Sequence, residues 1–141
     1  GNLYDYLKKQ DYNFKYTGVD ILPEMIFRAK EKNPQAEFFS ANIFEDDLFG
    51  DRKFDVIYAS GIFNIELGNN DDFLRNALQR FVSLSNKFVV FNLLHARSAT
   101  KEPGYYYQTP DTVQKLFPPV KKIFFIDDYL DNDFSTILEV M

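Results

Sequence analysis

The spacing of apolar residues changes repeatedly along the chain, and each change predicts an element. Leu3, Tyr6 and Leu7 fall on one helical face, so a helix is expected almost from the first residue. A loop at Asp11-Tyr12-Asn13 leads to a short β-prone run, Lys15–Asp20. Pro23 then suits a first helical position, where a missing N–H costs nothing, and Glu24 suits the positive end of the helix dipole. That helix is expected to about Lys32, with Ile26, Ala29 and Lys30 on neighbouring turns and a stop at Asn33-Pro34. Ala36–Ser40 reads as a second strand, followed by Ala41-Asn42-Ile43 and a polar stretch, Glu45–Lys53.

Phe54–Ser60 is the clearest strand, and its near-continuous apolar run predicts cover on both faces. Gly61 ends it. Asn69-Asn70-Asp71-Asp72 offers caps for a helix whose buried face is Phe73, Leu74, Ala77, Leu78, Phe81 and Val82. Lys87–Leu94 returns to strand, and such a strand–helix–strand crossover implies parallel pairing. Ser98–Gly104 reads as a loop, and Thr109-Pro110-Asp111 caps a short helix to Phe117 that Pro118-Pro119 stops. Lys122–Asp127 and Phe134–Val140 are joined by so short a link that they must pair antiparallel. The expected fold is a single α/β domain over residues 1–141, with a mostly parallel sheet flanked by helices and closed by an antiparallel strand pair.

A chain of 141 residues, 45% hydrophobic and carrying 16 Phe and 9 Tyr, can bury a real core and is too apolar for disorder. Its net charge of -5 argues against a general phosphate-binding surface, so nucleic acid is not an expected partner. With no Cys, disulfides, thiolate metal sites and Cys nucleophiles are excluded. No apolar run is long enough to span a bilayer, and a cytoplasmic, membrane-free protein is the expectation.

Candidate chemistry gathers after strand ends. Asp20 closes a strand at the end where open α/β sheets bind ligands, and its two oxygens can accept from both hydroxyls of a ribose. The simpler alternative is that Asp20 caps the helix that follows. His95, the only histidine, is placed just past a strand, as a base or, with Arg97, as a donor to a carboxylate substrate. A surface loop residue is the competing reading. Asn64 follows the 54–60 strand at the same end, as a turn residue or a substrate contact. Tyr105-Tyr106-Tyr107 supplies one or two side chains for a lid, with packing the role of the rest. Glu45-Asp46-Asp47 and Asp127-Asp128 read as solvated loops, since adjacency alone does not make a metal site.

Several of these stretches together resemble the class I S-adenosylmethionine-dependent methyltransferases, a Rossmann-like family. The resemblance rests on Gly18-Val19-Asp20-Ile21-Leu22-Pro23-Glu24-Met25, Ala41-Asn42-Ile43, Phe54-Asp55-Val56-Ile57-Tyr58-Ala59-Ser60-Gly61 and the terminal antiparallel pair. It implies a sheet whose last strand is inserted antiparallel, S-adenosylmethionine as cofactor, and methyl transfer to a small-molecule or protein acceptor. It further implies that Asp20 binds the ribose with Ile21 beside the adenine, and that Ile43 covers the ring. Asn42 stands where the family usually carries an acidic residue near the adenine amino group. Ser60 and Gly61 match the loop that passes the methionine part. Asn64, His95 and Arg97 are the expected substrate contacts, and no residue is assigned as catalytic.

The departure lies at the start. The family opens with a strand and a glycine-rich turn, of which this sequence has at most the last glycine, Gly1. The first family strand is therefore expected to be absent, in a trimmed or a shortened chain. Two inner sheet edges would then lack a partner, so a homodimer or a loosened fold is expected, and loss of the glycine turn's backbone donors predicts weak cofactor binding. Competing readings are a non-catalytic interaction module derived from a methyltransferase, and another nucleoside-cofactor enzyme such as a dehydrogenase.

Overall fold

The computed structural model describes residues 2–45 and 47–141. These form two compact units that meet in sequence at Gly50 and Asp51.

The first unit is organised by parallel pairing across a helical crossover. Helix α1 (Asn2–Lys9) precedes strand β1 (Thr17–Asp20), helix α2 (Pro23–Lys32) and strand β2 (Glu37–Ser40). β1 and β2 pair in register from Thr17 opposite Glu37 to Asp20 opposite Ser40. Pro23 takes the first position of α2, as expected, but the N-cap residue is Leu22, which makes no side-chain cap. Ile26 and Ala29 turn inward onto Phe38, with Tyr16 and Ala36 packed around them. Edge-to-face rings continue this core from Phe38 to Tyr16 and from Tyr16 to Tyr4. Gly18 is required by this packing, because a Cβ there would stand 2.6 Å from the Phe38 ring. Lys32 ties α2 to α1 through Asp5 and through Asn2.

In the second unit, strand β3 (Phe54–Ala59), helix α3 (Asn70–Leu84) and strand β4 (Ser85–His95) form the expected crossover, with β3 and β4 parallel. The short strand β5 (Tyr107–Gln108), which the sequence reading missed, also pairs parallel with the end of β4. Helix α4 (Pro110–Val113) continues as a 3-10 turn, Gln114–Leu116. Its expected cap is present: Thr109 accepts from the backbone N–H of Thr112 in a reciprocal capping box. Strands β6 (Lys122–Leu130) and β7 (Asp133–Glu139) form a hairpin, and β7 lies between β4 and β6, antiparallel to both. The sheet order is β3-β4-β7-β6, so the inserted last strand is as expected.

One face of this sheet is the core. Val89, Phe91 and Leu93 of β4 and Phe134, Thr136 and Leu138 of β7 are fully buried, alongside Leu74, Ala77, Leu78 and Phe81 of α3. Ring contacts run through it from Phe73 to Phe63, Phe91, Phe117, Phe125 and Phe134. Much of the large Phe content is spent here.

Several expectations need correction. β6 runs on to Leu130, leaving only Asp131-Asn132 as the turn, because the strand bends through an irregularity between Ile126 and Leu130 instead of ending. Helix α3 begins at Asn70, and the preceding Asn69 caps nothing. Asn70 instead braces the loop, accepting from Leu67 N–H and donating to Ile65 O, both at 2.7 Å. β3 is not covered on both faces: Ile57 and Ala59 pair with buried Val89 and Phe91, while Val56 and Tyr58 are each about half exposed. Among the described residues, β1 has only β2 as a strand neighbour and β3 only β4.

Thr136 carries a testable cost. Its hydroxyl lies between Phe91 and Phe125 in the ladder, fully buried, with no hydrogen-bond partner among the described residues. Leaving such a group unpaired costs about 1–3 kcal/mol. Thr136→Val, which keeps the shape and removes the hydroxyl, is expected to stabilise the second unit by about 1 kcal/mol in urea unfolding. A lower midpoint for the variant would refute this.

Candidate functional site

In the first unit, the ends of β1 and β2 place four of the expected residues together. Asp20 is opposite Ser40, and its backbone carbonyl accepts from Ala41 N–H at 3.0 Å, so Asn42-Ile43 follows directly beside it. Of the two Asp20 readings, the geometry shows the local one. Oδ1 accepts from Leu22 N–H at 2.9 Å and thereby turns the chain into α2. Oδ2 has no partner among the described residues, which leaves it available to a ligand hydroxyl. Ile21 and Leu22, immediately after Asp20, expose large apolar surfaces, at 64% and 56%. Asn42 is half-buried and turns its own loop, accepting from Phe44 N–H at 3.0 Å. Ile43 is half-buried next to it. Gly1 lies outside the described residues, as does Asp46 of the acidic stretch 45–47.

In the second unit, Ser60 and Gly61 turn the chain at the end of β3. Gly61 has φ +77°, a conformation that favours glycine, and its N–H donates to Asn92 Oδ1 at 2.8 Å. Asn92 Nδ2 donates in turn to Asp133 Oδ1 at 2.9 Å, and Tyr129 O–H donates to the other oxygen of Asp133. The Tyr129 oxygen also lies 2.9 Å from Ser135 Oγ. Burial, together with the bond to Asp133, pushes the Tyr129 hydroxyl up to about 12. Sequence reasoning missed this network. Its one legible trace is Asn92, a polar residue inside the apolar run Phe88–Leu94.

Asn64 is held by its backbone, with its carbonyl accepting from Tyr106 N–H at 2.8 Å. Its side-chain Oδ1 is buried without a partner among the described residues, an acceptor suited to a ligand donor. Of the three tyrosines, Tyr106 is buried and donates to Asp71 at 2.6 Å, which together with burial raises its pKa. Tyr107 accepts from Glu102 N–H at 2.9 Å, and only Tyr105 stands exposed.

His95 is not a loop residue. It is the last residue of β4, 6% exposed, with its ring 5.1 Å from Phe134 in an edge-on contact. The alternation of β4 explains this, since His95 continues the inward face of Val89, Phe91 and Leu93. Nδ1 accepts from Arg97 N–H at 3.2 Å, so the neutral ring carries its proton on Nε2 and is a donor there. Burial, and then the Arg97 charge, lower its pKa against the opposing pull of Asp127. The Arg97 guanidinium is taken up by the β6–β7 hairpin. It donates to the carbonyls of Asp127, Leu130 and Asp131, with the Asp127 carboxylate at 3.7 Å. A cleft of about 580 Å³ opens there, lined by Arg97 and residues 127–131. Among the described residues, no three His, Asp or Glu side chains gather as metal ligands.

A family model described as a methyltransferase domain matches residues 1–84, more than half of the chain. The chain belongs to this methyltransferase domain family. It is 30% identical over 119 residues to a Mycobacterium tuberculosis protein described as "Putative methyltransferase Rv1506c", covering 78% of this chain and 68% of that one. Solved structures, among them two methyltransferases, share the fold. Magnesium protoporphyrin IX methyltransferase from Synechocystis, crystallised with bound SAM, superposes with a TM-score of 0.63 at 11% identity, over 90% of this chain and 60% of its own. The N-methyltransferase NodS from Bradyrhizobium japonicum gives 0.63 at 14% identity, over 89% and 73%. PH0226 from Pyrococcus horikoshii gives 0.71 at 14% identity, over 98% and 76%. The chain thus spans about 60% of the Synechocystis enzyme. This methyltransferase domain has the Rossmann-like α/β fold of its family, and none of its described helices is long and apolar enough to cross a membrane.

The buried His95 makes stability depend on pH. Its folded-state pKa lies below the ordinary 6.5, so on acidification the unfolded chain takes up the proton first. Stability is therefore full above about pH 6.5 and falls as pH drops toward the folded-state value. His95→Gln, which keeps an uncharged acceptor, should flatten that fall in denaturant unfolding between about pH 5 and 7. An unchanged slope would assign the acid sensitivity to other groups.

Proposed function

We propose that this methyltransferase domain binds S-adenosylmethionine and transfers its methyl group to a small-molecule or protein acceptor. The observation that carries this reading is Asp20, with one carboxylate oxygen turning the chain and the other available, beside Asn42 at the ends of two parallel strands. In the first unit, Asp20 would accept from the ribose hydroxyls, with exposed Ile21 and half-buried Ile43 offering apolar contact to the adenine. Asn42 would stand near the adenine amino group, at the position the family resemblance gives to an acceptor. In the second unit, the Ser60–Gly61 turn would pass the methionine part, and Asn64 Oδ1 would accept from a donor on the substrate. The bound cofactor supplies an electrophilic methyl group on a sulfonium.

The protein's contribution is to orient donor and acceptor, which an in-line displacement rewards strongly. A protonated Nε2 makes His95 a hydrogen-bond donor to the acceptor molecule, consistent with the carboxylate-binding reading and not with a base. Arg97 would contribute its charge while its N–H groups hold the hairpin. The cytoplasmic location expected from the sequence stays part of this proposal.

Two measurements test it. Asp20→Ala should weaken binding of S-adenosylhomocysteine, followed by calorimetric titration, by roughly 1.5–3 kcal/mol, about ten- to a hundredfold. Asp20→Asn retains an acceptor for Leu22 N–H and should fall between. Equal affinity in all three, with the fold intact, would refute the ribose assignment. The edges of β1 and β3 that have no strand neighbour among the described residues favour self-association. Sedimentation should therefore find a species of twice 16.6 kDa. A monomer at every concentration would remove the homodimer from this reading.

A further inference from the structure

We infer that Asn92 is a positioning residue of the cofactor site, fixing the Ser60–Gly61 turn from the neighbouring strand and keyed in place by Asp133. The inference rests on the reading above that this turn meets the cofactor. The β3–β4 ladder reaches Ala59 opposite Phe91 and goes no further. The next residue after β3 is Ser60, and the next on β4 is Asn92. Where backbone pairing stops, the Asn92 side chain takes over, accepting the Gly61 N–H across 31 residues of sequence.

The other end of the amide is equally committed. Asn92 is paired with Ser135 in the antiparallel ladder, and its Nδ2 reaches Asp133, two residues along the same face of β7. An N–H on one side and a carboxylate on the other leave only one orientation for this amide. Few side chains of this length can accept and donate at once: an aspartate cannot donate, and a leucine can do neither. Asp133 is itself held by Tyr129, which Ser135 also contacts. The turn is thus tied to the β6–β7 hairpin through one side chain, and Gly61 keeps its left-handed conformation with its N–H hydrogen-bonded to Asn92.

This arrangement predicts a rescue. Asn92→Asp retains an acceptor for Gly61 but sets two carboxylates against each other. Adding Asp133→Asn restores one donor between the two positions, so that the carboxylate introduced on β4 accepts both from Gly61 and from the new amide on β7. Titration with S-adenosylhomocysteine should show about a tenfold loss or more for Asn92→Asp and for Asn92→Ala. The Asn92→Asp/Asp133→Asn double variant should return to within about threefold of wild type. Exchange of the Gly61 amide proton, followed by NMR in the free protein, should quicken in Asn92→Ala and slow again in the double variant. Thermal unfolding of each form separates stability from binding. Single variants that lose stability but keep wild-type affinity would overturn the inference, as would a Gly61 amide indifferent to Asn92→Ala. A wild-type protein that binds no S-adenosylhomocysteine would overturn the cofactor reading and this inference together. Wild-type binding with unaltered variants would overturn this inference alone.

Discussion

Strict alternation along β4 is the constraint on which the second unit depends. This eleven-residue strand is paired on both edges, with β3 and β5 on one side and β7 on the other. Its odd-numbered residues from Val89 to His95 turn into the core, where α3 and the aromatic run cover them. A slip of one residue would exchange the two faces entirely. The same period therefore decides two unlike matters at once. It buries His95, and it turns Asn92 to the opposite face, where Ser135 and Asp133 meet it. Hydrophobic burial on one face thus sets the geometry of the polar network on the other.

The elements that local chemistry specifies are legible in the sequence. Pro23 opens a helix because it loses no hydrogen bond there, and Thr109 caps one because its hydroxyl reaches Thr112 N–H. The 3.6-residue spacing from Leu74 to Phe81 marks the buried face of α3 directly. The antiparallel closing pair follows from the length of its link alone. What escapes a sequence reading depends on partners distant in the chain. Nothing near Asn92 announces Asp133, which lies 41 residues away. His95 reads as a loop residue because a polar ring at a strand end gives no sign of burial. The cover expected on both sides of β3 comes from its apolar run, yet Val56 and Tyr58 are exposed, because composition cannot say which faces a strand's neighbours will reach. For Asp20 the sequence allows cap or ligand, and the structure shows why the two are compatible: a carboxylate has an oxygen for each.

Arg97 shows how position in the fold changes the meaning of a charge. Its place after β4 suggests a substrate contact. Its guanidinium instead spans the carbonyls of Asp127, Leu130 and Asp131, where β6 bends before the two-residue turn. The Asp127 carbonyl lies where the β6–β7 ladder is interrupted between Ile126 and Leu130, and those of Leu130 and Asp131 lie at the turn. A planar group with several fixed donors is suited to such a task, and a lysine would not reproduce it. The turn that Arg97 secures leads into Asp133, and through it to Asn92 and Gly61. A loss of function on removing Arg97 would therefore pass through the hairpin before it said anything about substrate. Separating the two requires a substitution that leaves the carbonyls satisfied, and removing the guanidinium does not. The proposed contact of Arg97 with substrate is therefore to be tested from the ligand side, by changing the acceptor's charge while the protein stays whole.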